Sequence, residues 1–149
     1  MSTPDPKPAK RIKDPRAVHD VVVKYARCQL CGRRGSVYRI GSKVYVMHVS
    51  GHHLVKKSQR GDDVPENILV VCGHGTDGCH GALERNDLHT QMLARAAMTE
   101  AQEEYVVRKK GWVYLERTYP RWQERPSPAN ISPRLPEWVK IDRSGWPPV

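Results

Sequence analysis

The sequence is most informative between residues 68 and 80, which read Ile68-Leu69-Val70-Val71-Cys72-Gly73-His74-Gly75-Thr76-Asp77-Gly78-Cys79-His80. The first four residues are aliphatic and mostly β-branched, so they predict a buried strand that ends at Cys72. The glycines that follow allow the chain to turn back before Cys79. Good helix formers come after Cys79, so Cys79 and His80 are expected at the start of a helix. A strand end and a helix start therefore present two cysteines and a histidine.

A second cysteine pair lies upstream, in the run Cys28-Gln29-Leu30-Cys31-Gly32. This spacing lets two thiolates bind one Zn²⁺ at ~2.3 Å without straining the turn. The sequence thus predicts a closed structural zinc site with four ligands: Cys28, Cys31, Cys72 and Cys79. Exchange of one cysteine for His74 stays open, and buried free thiols are the alternative to a metal site. Two disulfides are not expected in a reducing compartment.

The surrounding elements indicate a small α+β domain. Residues 37–40 and 43–49 are β-rich runs around Gly41-Ser42, and they predict a tight hairpin. After Cys79 a helix is expected that Asn86-Asp87 divides in two. Thr99 and Gln102 form a capping-box pattern before a further helix, which Gly111 ends. The aromatic and aliphatic residues that follow are expected to pack back on the core: Trp112, Tyr114, Leu115 and Tyr119.

The domain is expected to span residues 17–120, between two extended tails. Residues 1–16 form a flexible basic arm, and residues 121–149 form a Pro-rich tail. Three tryptophans of that tail can anchor on the body or on a partner: Trp122, Trp138 and Trp146. No apolar run approaches the ~20 residues of a membrane span, and the N-terminus has no signal-peptide segment. We therefore expect a cytoplasmic protein with no membrane partner.

Charge is distributed unevenly along the chain. The formal net charge is +9, and residues 1–60 contain fourteen Lys and Arg against three Asp and Glu, whereas residues 61–149 contain eleven against thirteen. This asymmetry favours contact of the first half with a polyanion such as DNA, although a well-solvated basic surface accounts for it equally well. Only a chemically specific site can decide between the two.

Such a site is indicated between the cysteine pairs, where His52-His53 is followed by a polar loop and by Pro65-Glu66-Asn67. Together with Cys79-His80, this order resembles the zinc-stapled HNH endonucleases, which read His-His, a polar loop, Pro-Glu-Asn-aliphatic, Cys and Cys-His. The resemblance covers residues 28–84. It implies a ββα-metal, treble-clef-like core that is held by the four-cysteine zinc site, with flanking helices.

The resemblance also implies a role for each residue. His52 and His80 become ligands of a catalytic divalent ion, His53 the general base, and Asn67 the residue that holds His53 in place. Two ligands leave open positions on Mg²⁺, Mn²⁺, Ni²⁺ or Zn²⁺ for phosphate and water, and a neutral imidazole accepts a proton near neutral pH. The expected function is hydrolysis of DNA phosphodiester bonds. Proteins of this kind are common in bacteriophages and bacteria, so a bacterial host cell is the expected setting.

Two features depart from the family pattern. Glu84 stands where many members have a further His or Asn, and it is either a third ligand or a solvated side chain. The spacer between Cys72 and Cys79 is also wider than usual. Three cations after the proposed base are expected to bind phosphates: Lys56, Lys57 and Arg60. The remaining histidines His19, His48 and His89 are interpreted as ordinary surface or core residues.

Two other functions remain open from the sequence. A zinc-stapled nucleic-acid-binding module without catalysis explains the cysteines and the charge, but gives no reason for the ordered histidines. An adaptor of a phage packaging assembly or of another large phage or host assembly would use the tryptophan-bearing tail. Oligomeric state is not indicated by any motif.

Overall fold

A computed structural model describes residues 10–122 of the chain. In chain order its elements are α1 (Pro15–Tyr25), β1 (Ser36–Ile40), β2 (Lys43–Met47), β3 (Val49–His53), two 3-10 turns (Lys57–Gln59 and Pro65–Asn67), β4 (Ile68–Cys72), α2 (Gly78–Glu84), α3 (Leu88–Ala97), α4 (Glu100–Lys110) and α5 (Trp112–Thr118). Within residues 10–122, the fold is α+β with five helices and two antiparallel two-stranded sheets. The predicted fold class is confirmed at this level.

The hairpin of β1 and β2 forms around Gly41-Ser42 as predicted, but its second strand is shorter. His48 adopts φ 73°, in the left-handed region, and this redirects the chain. Residues 49–53 therefore leave the hairpin and form β3, which pairs with β4 from Val49 opposite Cys72 to His53 opposite Ile68. This pairing places residues 49–53 beside a strand that is buried along its whole length.

The core is built around β4. Helix α1 packs against β3 and β4, and α2 also contacts β4. Leu54 and Val55, which follow β3, are also fully buried, as are Leu93 on α3 and Val106 on α4. The strand that carries Cys72 is thus held on several sides, as expected for a strand of Ile, Leu and Val.

The N-terminal arm differs from the prediction over residues 11–16. Pro15 and Arg16 begin α1, which Asp14 caps by accepting a hydrogen bond from the Ala17 amide. The amides of Ile12 and Asp14 donate to the carboxylates of Asp62 and Asp63, respectively. The physical reason is that two buried carboxylates require donors, and the arm supplies them. Residues 1–9 lie outside the described residues.

The downstream helices follow the prediction closely. Asn86, at φ 58°, separates α2 from α3, and both hydrogen bonds of the Thr99 capping box are present at α4. Leu115 and Tyr119 are buried as expected, whereas Trp112 is 54% exposed. α5 points its first residue outward, where the guanidinium of Arg95 lies 5.7 Å from the Trp112 ring centroid.

The C-terminal tail is described only as far as Trp122, whose ring lies 5.9 Å from that of His89. The prediction of anchoring through Trp138 and Trp146, and of an extended Pro-rich tail, concerns residues outside the described range. From residue 10 to residue 122, no helix combines the length and apolar composition that a membrane crossing requires.

Candidate metal and catalytic site

The four cysteines converge on one point. Cys28 and Cys31 come from the turn after α1, Cys72 ends β4 and Cys79 begins α2, and their sulfur atoms all lie within 4.8 Å of one another. The Sγ atoms of Cys31 and Cys72 are 3.6 Å apart. This separation is close to the edge of a tetrahedron of ligands around zinc, about 3.8 Å for Zn–S bonds of ~2.3 Å. All four cysteines are free thiols rather than disulfides.

The chemistry of the cluster fits a dication. A hydrogen bond with Cys31 raises the pKa of Cys28, and the same bond lowers the pKa of Cys31 to about 2. Backbone amides also donate to sulfur, from Cys31 to Cys28 at 3.4 Å and from Cys79 to Cys72 at 3.3 Å. Four thiolates this close repel one another unless a cation compensates them. The cluster is therefore consistent with a structural zinc site, and His74 stays exposed outside it.

A second cluster of ligand types lies beside the first. The facing atoms of His52, His80 and Glu84 all lie within 4.8 Å of one another. Glu84 Oε1 is 3.6 Å from His52 Nδ1 and 3.6 Å from His80 Nε2. His80 immediately follows Cys79, so the start of α2 serves both clusters, with successive side chains directed ~100° apart. The structure thus brings together all three residues that the sequence proposed around the catalytic ion.

The environment of His52 fixes which ring nitrogen is free. Its Nε2 lies 3.1 Å from the hydroxyl of Tyr119, and that hydroxyl donates its single proton to the carbonyl of Leu54 at 2.7 Å. Nε2 must therefore carry the proton and donate to the tyrosine oxygen. In the neutral ring Nδ1 keeps its lone pair, has no hydrogen-bond partner among residues 10–122, and is directed at Glu84 and His80. An orphaned buried nitrogen of this kind is what a metal ligand would be without its ion.

His80 is arranged in the complementary way. Ser50 Oγ donates to the carbonyl of Gly73 at 2.6 Å, so it accepts from His80 Nδ1, also at 2.6 Å. The proton is assigned to Nδ1, and the lone pair of Nε2 faces the cluster. Burial lowers the pKa of His80 to about 4, which keeps the imidazole neutral, as metal ligation requires.

Glu84 closes the cluster on its solvent side. A proton on His52 Nδ1 and, after it, the ammonium of Lys56 lower the pKa of Glu84 to about 2. With Nδ1 unprotonated, a divalent ion in its place would have the same effect, so the side chain is a carboxylate at neutral pH in both cases. Its side chain is 36% exposed, and Lys56 Nζ lies 3.6 Å from the other carboxylate oxygen. Two imidazole nitrogens and one carboxylate oxygen form a mixed donor set that leaves room for further ligands on a divalent ion.

His53 lies outside this donor set and pairs with Asp63. Its Nε2 donates to Asp63 Oδ1 at 2.7 Å, and Arg11 Nη2 donates to the same oxygen at 2.7 Å. Burial lowers the pKa of His53 more than the Asp63 carboxylate raises it, so the ring is neutral at neutral pH. For Asp63, burial raises the pKa, but the bonds from His53, Asp14 and Arg11 outweigh it and lower the pKa. In the described part of the chain, no hydrogen bond involves His53 Nδ1, which therefore has an available lone pair.

Asn67 closes the loop between His53 and β4. Its amide oxygen accepts from the Val55 amide at 2.7 Å, and its amide nitrogen donates to the carbonyls of Val55 and Asp62. Asn67 thereby fixes the backbone two residues after His53 and one residue before Asp63. Gly61 permits this closure, since a Cβ there would collide with the Val55 carbonyl and meet the Asn67 amide. The role that the sequence gave to Asn67 stays a prediction, and these contacts are compatible with it.

An open cleft of about 370 Å³ gives access to these groups, and it is lined by His53, His80, Glu84, Lys56 and Lys57 among others. Lys56 and Lys57 thus face the candidate site, as expected for residues that bind phosphates. Arg60, proposed for the same role, is exposed on the following turn and does not line the cleft.

Three contacts of the candidate site were not predicted from the sequence. Asp63 had a signal, because two adjacent aspartates in a loop of otherwise basic and polar residues require explanation. Ser50 could be suspected only from its position two residues before His52, which places both side chains on the same face of a strand. Tyr119 was recognised as a packing residue, but nothing in its surroundings indicated that its hydroxyl meets His52, 67 residues away in the sequence.

The comparisons with other proteins add no assignment. No family model, no curated protein and no solved structure matches this chain. The functional argument therefore depends on the residues and their geometry.

Proposed function

We propose that this protein is a metal-dependent endonuclease of the HNH type that hydrolyses phosphodiester bonds of DNA. In this proposal β3, β4 and α2 form a ββα-metal core, and a zinc ion on the four cysteines holds its base together. The order of an antiparallel strand pair followed by a helix supports the assignment, as does the placement of both clusters at the start of α2.

One observation carries the proposal. Outer hydrogen bonds direct the free lone pairs of His52 and His80 toward one point beside Glu84, and His53 opens into the same cleft with a free nitrogen. Structural histidines of a core have no need for two fixed and convergent lone pairs. Metal-binding histidines regularly have such outer partners, which orient the ring and select the tautomer.

The residues divide the chemistry between them. His52, His80 and Glu84 would hold a divalent ion, which would supply Lewis-acid stabilisation of the leaving oxygen. His53 takes a proton from the attacking water at Nδ1 while its Nε2–H stays bonded to Asp63. The carboxylate of Asp63 orients the ring and compensates the charge of the imidazolium that forms. Lys56 and Lys57 bind the phosphates on either side of the scissile bond.

Plasmid cleavage tests the proposal. Wild-type protein is incubated with supercoiled plasmid and Mg²⁺, Mn²⁺, Ni²⁺ or Zn²⁺, beside His53→Ala and the control His19→Ala, whose side chain is exposed on α1. We expect nicked or linear products from wild type and control. We expect His53→Ala to be slower by ~10²- to 10⁴-fold, the usual contribution of a general base. Equal rates for His53→Ala and wild type would remove the proposal.

The same assay addresses the other functions. The basic first half of the chain favours a non-catalytic zinc-stapled module as the alternative. Such a module would retard the plasmid in a gel but would not cut it in the presence of any of the four ions. An adaptor function places the essential contacts in the tail beyond the described residues, and is compatible with cleavage. Substituting Lys56 and Lys57 is expected to weaken DNA binding for all sequences and to flatten its salt dependence.

A further inference from the structure

The segment between Asp20 and Asp62 has an exceptional composition. It contains nine Lys and Arg and no Asp or Glu. Its middle part forms the hairpin of β1 and β2, which projects from the cysteine turn and contains Arg39 and Lys43. Among the described residues, neither of these two cations forms an ion pair. The hairpin is thus a strongly positive element, without internal compensation of its charge.

One face of the hairpin is also unusually apolar. The register pairs Tyr38 with Tyr45, Ile40 with Lys43 and Ser36 with Met47, and in an antiparallel pair these opposing residues share a face. The exposed fractions are 40% for Tyr38, 63% for Ile40, 38% for Tyr45 and 48% for Met47. The two tyrosine rings stack, with centroids 5.4 Å apart and planes at 15°. We call Tyr38, Ile40, Lys43, Tyr45 and Met47 the outer face.

The outer face is exposed because the opposite side of the hairpin is the one that packs against the protein. On the opposite side of β2, Val44 and Val46 are partly buried, and Val46 packs against the core. A shift of one residue would exchange the two sides, so the packing of Val46 fixes which residues stay outside. A fixed, exposed cluster of two stacked aromatic rings and two aliphatic side chains is typical of a binding surface.

The charge selects the kind of partner. A second copy of this chain also carries +9 and would bring two uncompensated basic hairpins together. A polyanion is attracted instead, and a two-stranded ribbon has the width that the DNA major groove admits. Tyrosine side chains combine apolar contact area with a polar hydroxyl, which suits contact with both sugars and phosphates.

We propose that the hairpin of β1 and β2 anchors duplex DNA through the outer face. The hairpin is close to the cleft along the chain, because only His48 separates β2 from β3, which carries His52 and His53. The eight residue-to-residue steps from Tyr45 to His53 span at most ~28 Å when extended. One turn of B-DNA is ~34 Å long, so the hairpin and the cleft lie within reach of the same duplex. The inference shares with the proposed function only the choice of DNA as the ligand.

Binding is measured by fluorescence anisotropy with a labelled duplex of about 30 base pairs, roughly three helical turns, and without added divalent ions. We compare full-length wild type, the double variant Tyr38→Ser/Tyr45→Ser and the control Val113→Ser, which removes an apolar side chain that is 64% exposed on α5. We expect the double variant to bind at least ~10-fold more weakly, because it removes the apolar contact area of two aromatic rings from the interface. The control should bind as wild type does. Thermal denaturation checks that both variants stay folded, which their exposed positions favour.

A second pair of measurements identifies the ligand class. Lys43→Gln, which removes the cation of the outer face, should reduce the slope of log K against log salt by the equivalent of about one phosphate contact, ~0.9. A single strand of the same length should bind more weakly than the duplex. Unchanged affinity of the tyrosine variant overturns the inference, as does equal or tighter binding of the single strand. A change in oligomeric state of the tyrosine variant, with DNA affinity intact, would overturn it in favour of an interface between copies.

The outcomes also separate this inference from the proposed function. If wild type binds through the hairpin but cuts no DNA in any ion, the anchor stands and the nuclease proposal fails. If wild type cuts DNA while the tyrosine variant binds and cuts equally well, the nuclease proposal stands and the anchor fails.

Discussion

The two clusters at the start of α2 contain neighbouring residues but differ in donor type and in exposure. Cys79 belongs to a group of four thiols, of which Cys28 is fully buried and Cys72 nearly so. His80, the next residue, belongs to a group of mixed donors that borders an open cleft. A closed set of four soft ligands holds a structural ion, whereas an incomplete set of nitrogen and oxygen donors leaves positions for substrate. Accessibility and donor type, rather than position in the sequence, therefore distinguish a candidate structural metal site from a candidate catalytic one.

The largest effect is expected at the closed cluster. Cys72→Ser removes one thiolate from the strand end, and structural zinc contributes an apparent ~10–16 kcal/mol to folding, as much as the whole stability of a typical domain. We expect loss of bound zinc and loss of the cooperative thermal transition, measured by metal content and circular dichroism.

His74→Ala is the matched control for that variant. We expect it to retain one zinc per chain and the wild-type transition, because His74 lies outside the cluster. Loss of zinc from His74→Ala with retention in Cys72→Ser would exchange the roles of the two residues.

At the open cluster the effect should fall on activity rather than on folding. We expect His80→Ala to lower Mn²⁺ affinity and cleavage by more than the ~10- to 100-fold that loss of an outer partner costs, and Ser50→Ala to remain within that range. Calorimetric Mn²⁺ titration and plasmid cleavage measure both variants. If both bind Mn²⁺ as wild type does, His80 is not a ligand.

Sequence and structure agree best where the argument used local chemistry. The strand ending at Cys72 and the capping box at Thr99 depend on short-range pattern, whereas the placement of His52 near His80 was expected only from the resemblance of their ordered motif. The predicted extent of the second hairpin strand was wrong, because the positive φ of His48 divides a continuous β-rich run into β2 and β3. α1 was missed because Pro15 was interpreted as part of a tail, although proline suits the first turn of a helix.

The long-range partners could not be inferred in the same way. Tyr119 reaches His52 and Asp62 reaches Tyr105 only because α4 and α5 fold back over β3 and the loop. Such pairs depend on tertiary packing, and no periodicity marks them. Asp63 is intermediate, because its unusual pair of aspartates is visible in the sequence but its contact with His53 is not.

A smaller effect is expected from Asp63→Asn, which keeps the size of the side chain and removes its charge. The maximal cleavage rate should fall by ~10- to 100-fold, as for outer partners of active-site histidines. Because Asp63 raises the pKa of His53, the acidic limb of the pH profile should also move to lower pH. A merely structural role for Asp63 would lower the rate or the melting temperature without moving that limb.

The mildest test leaves the protein unchanged and varies only the pH. Burial lowers the pKa of His53 below its ordinary value of 6.5, and the neutral ring is the active form of a base. Cleavage should therefore be nearly constant above pH 6.5 and should decline as the pH falls below it. A profile that shows no decline as the pH falls below 6.5, as far as the protein stays folded and with saturating metal, would exclude His53 as the base.

The difference between the closed and the open cluster is tested most directly by brief chelation. Zinc-loaded protein is exposed to EDTA, desalted, and assayed for zinc content and for plasmid cleavage before and after addition of Mn²⁺. We predict that one zinc per chain remains, that cleavage is absent, and that Mn²⁺ restores it. The account would be contradicted if the chelated protein, with its zinc retained, cut DNA as fast as before without any added ion. The catalytic ion would then not be exchangeable separately from the structural one.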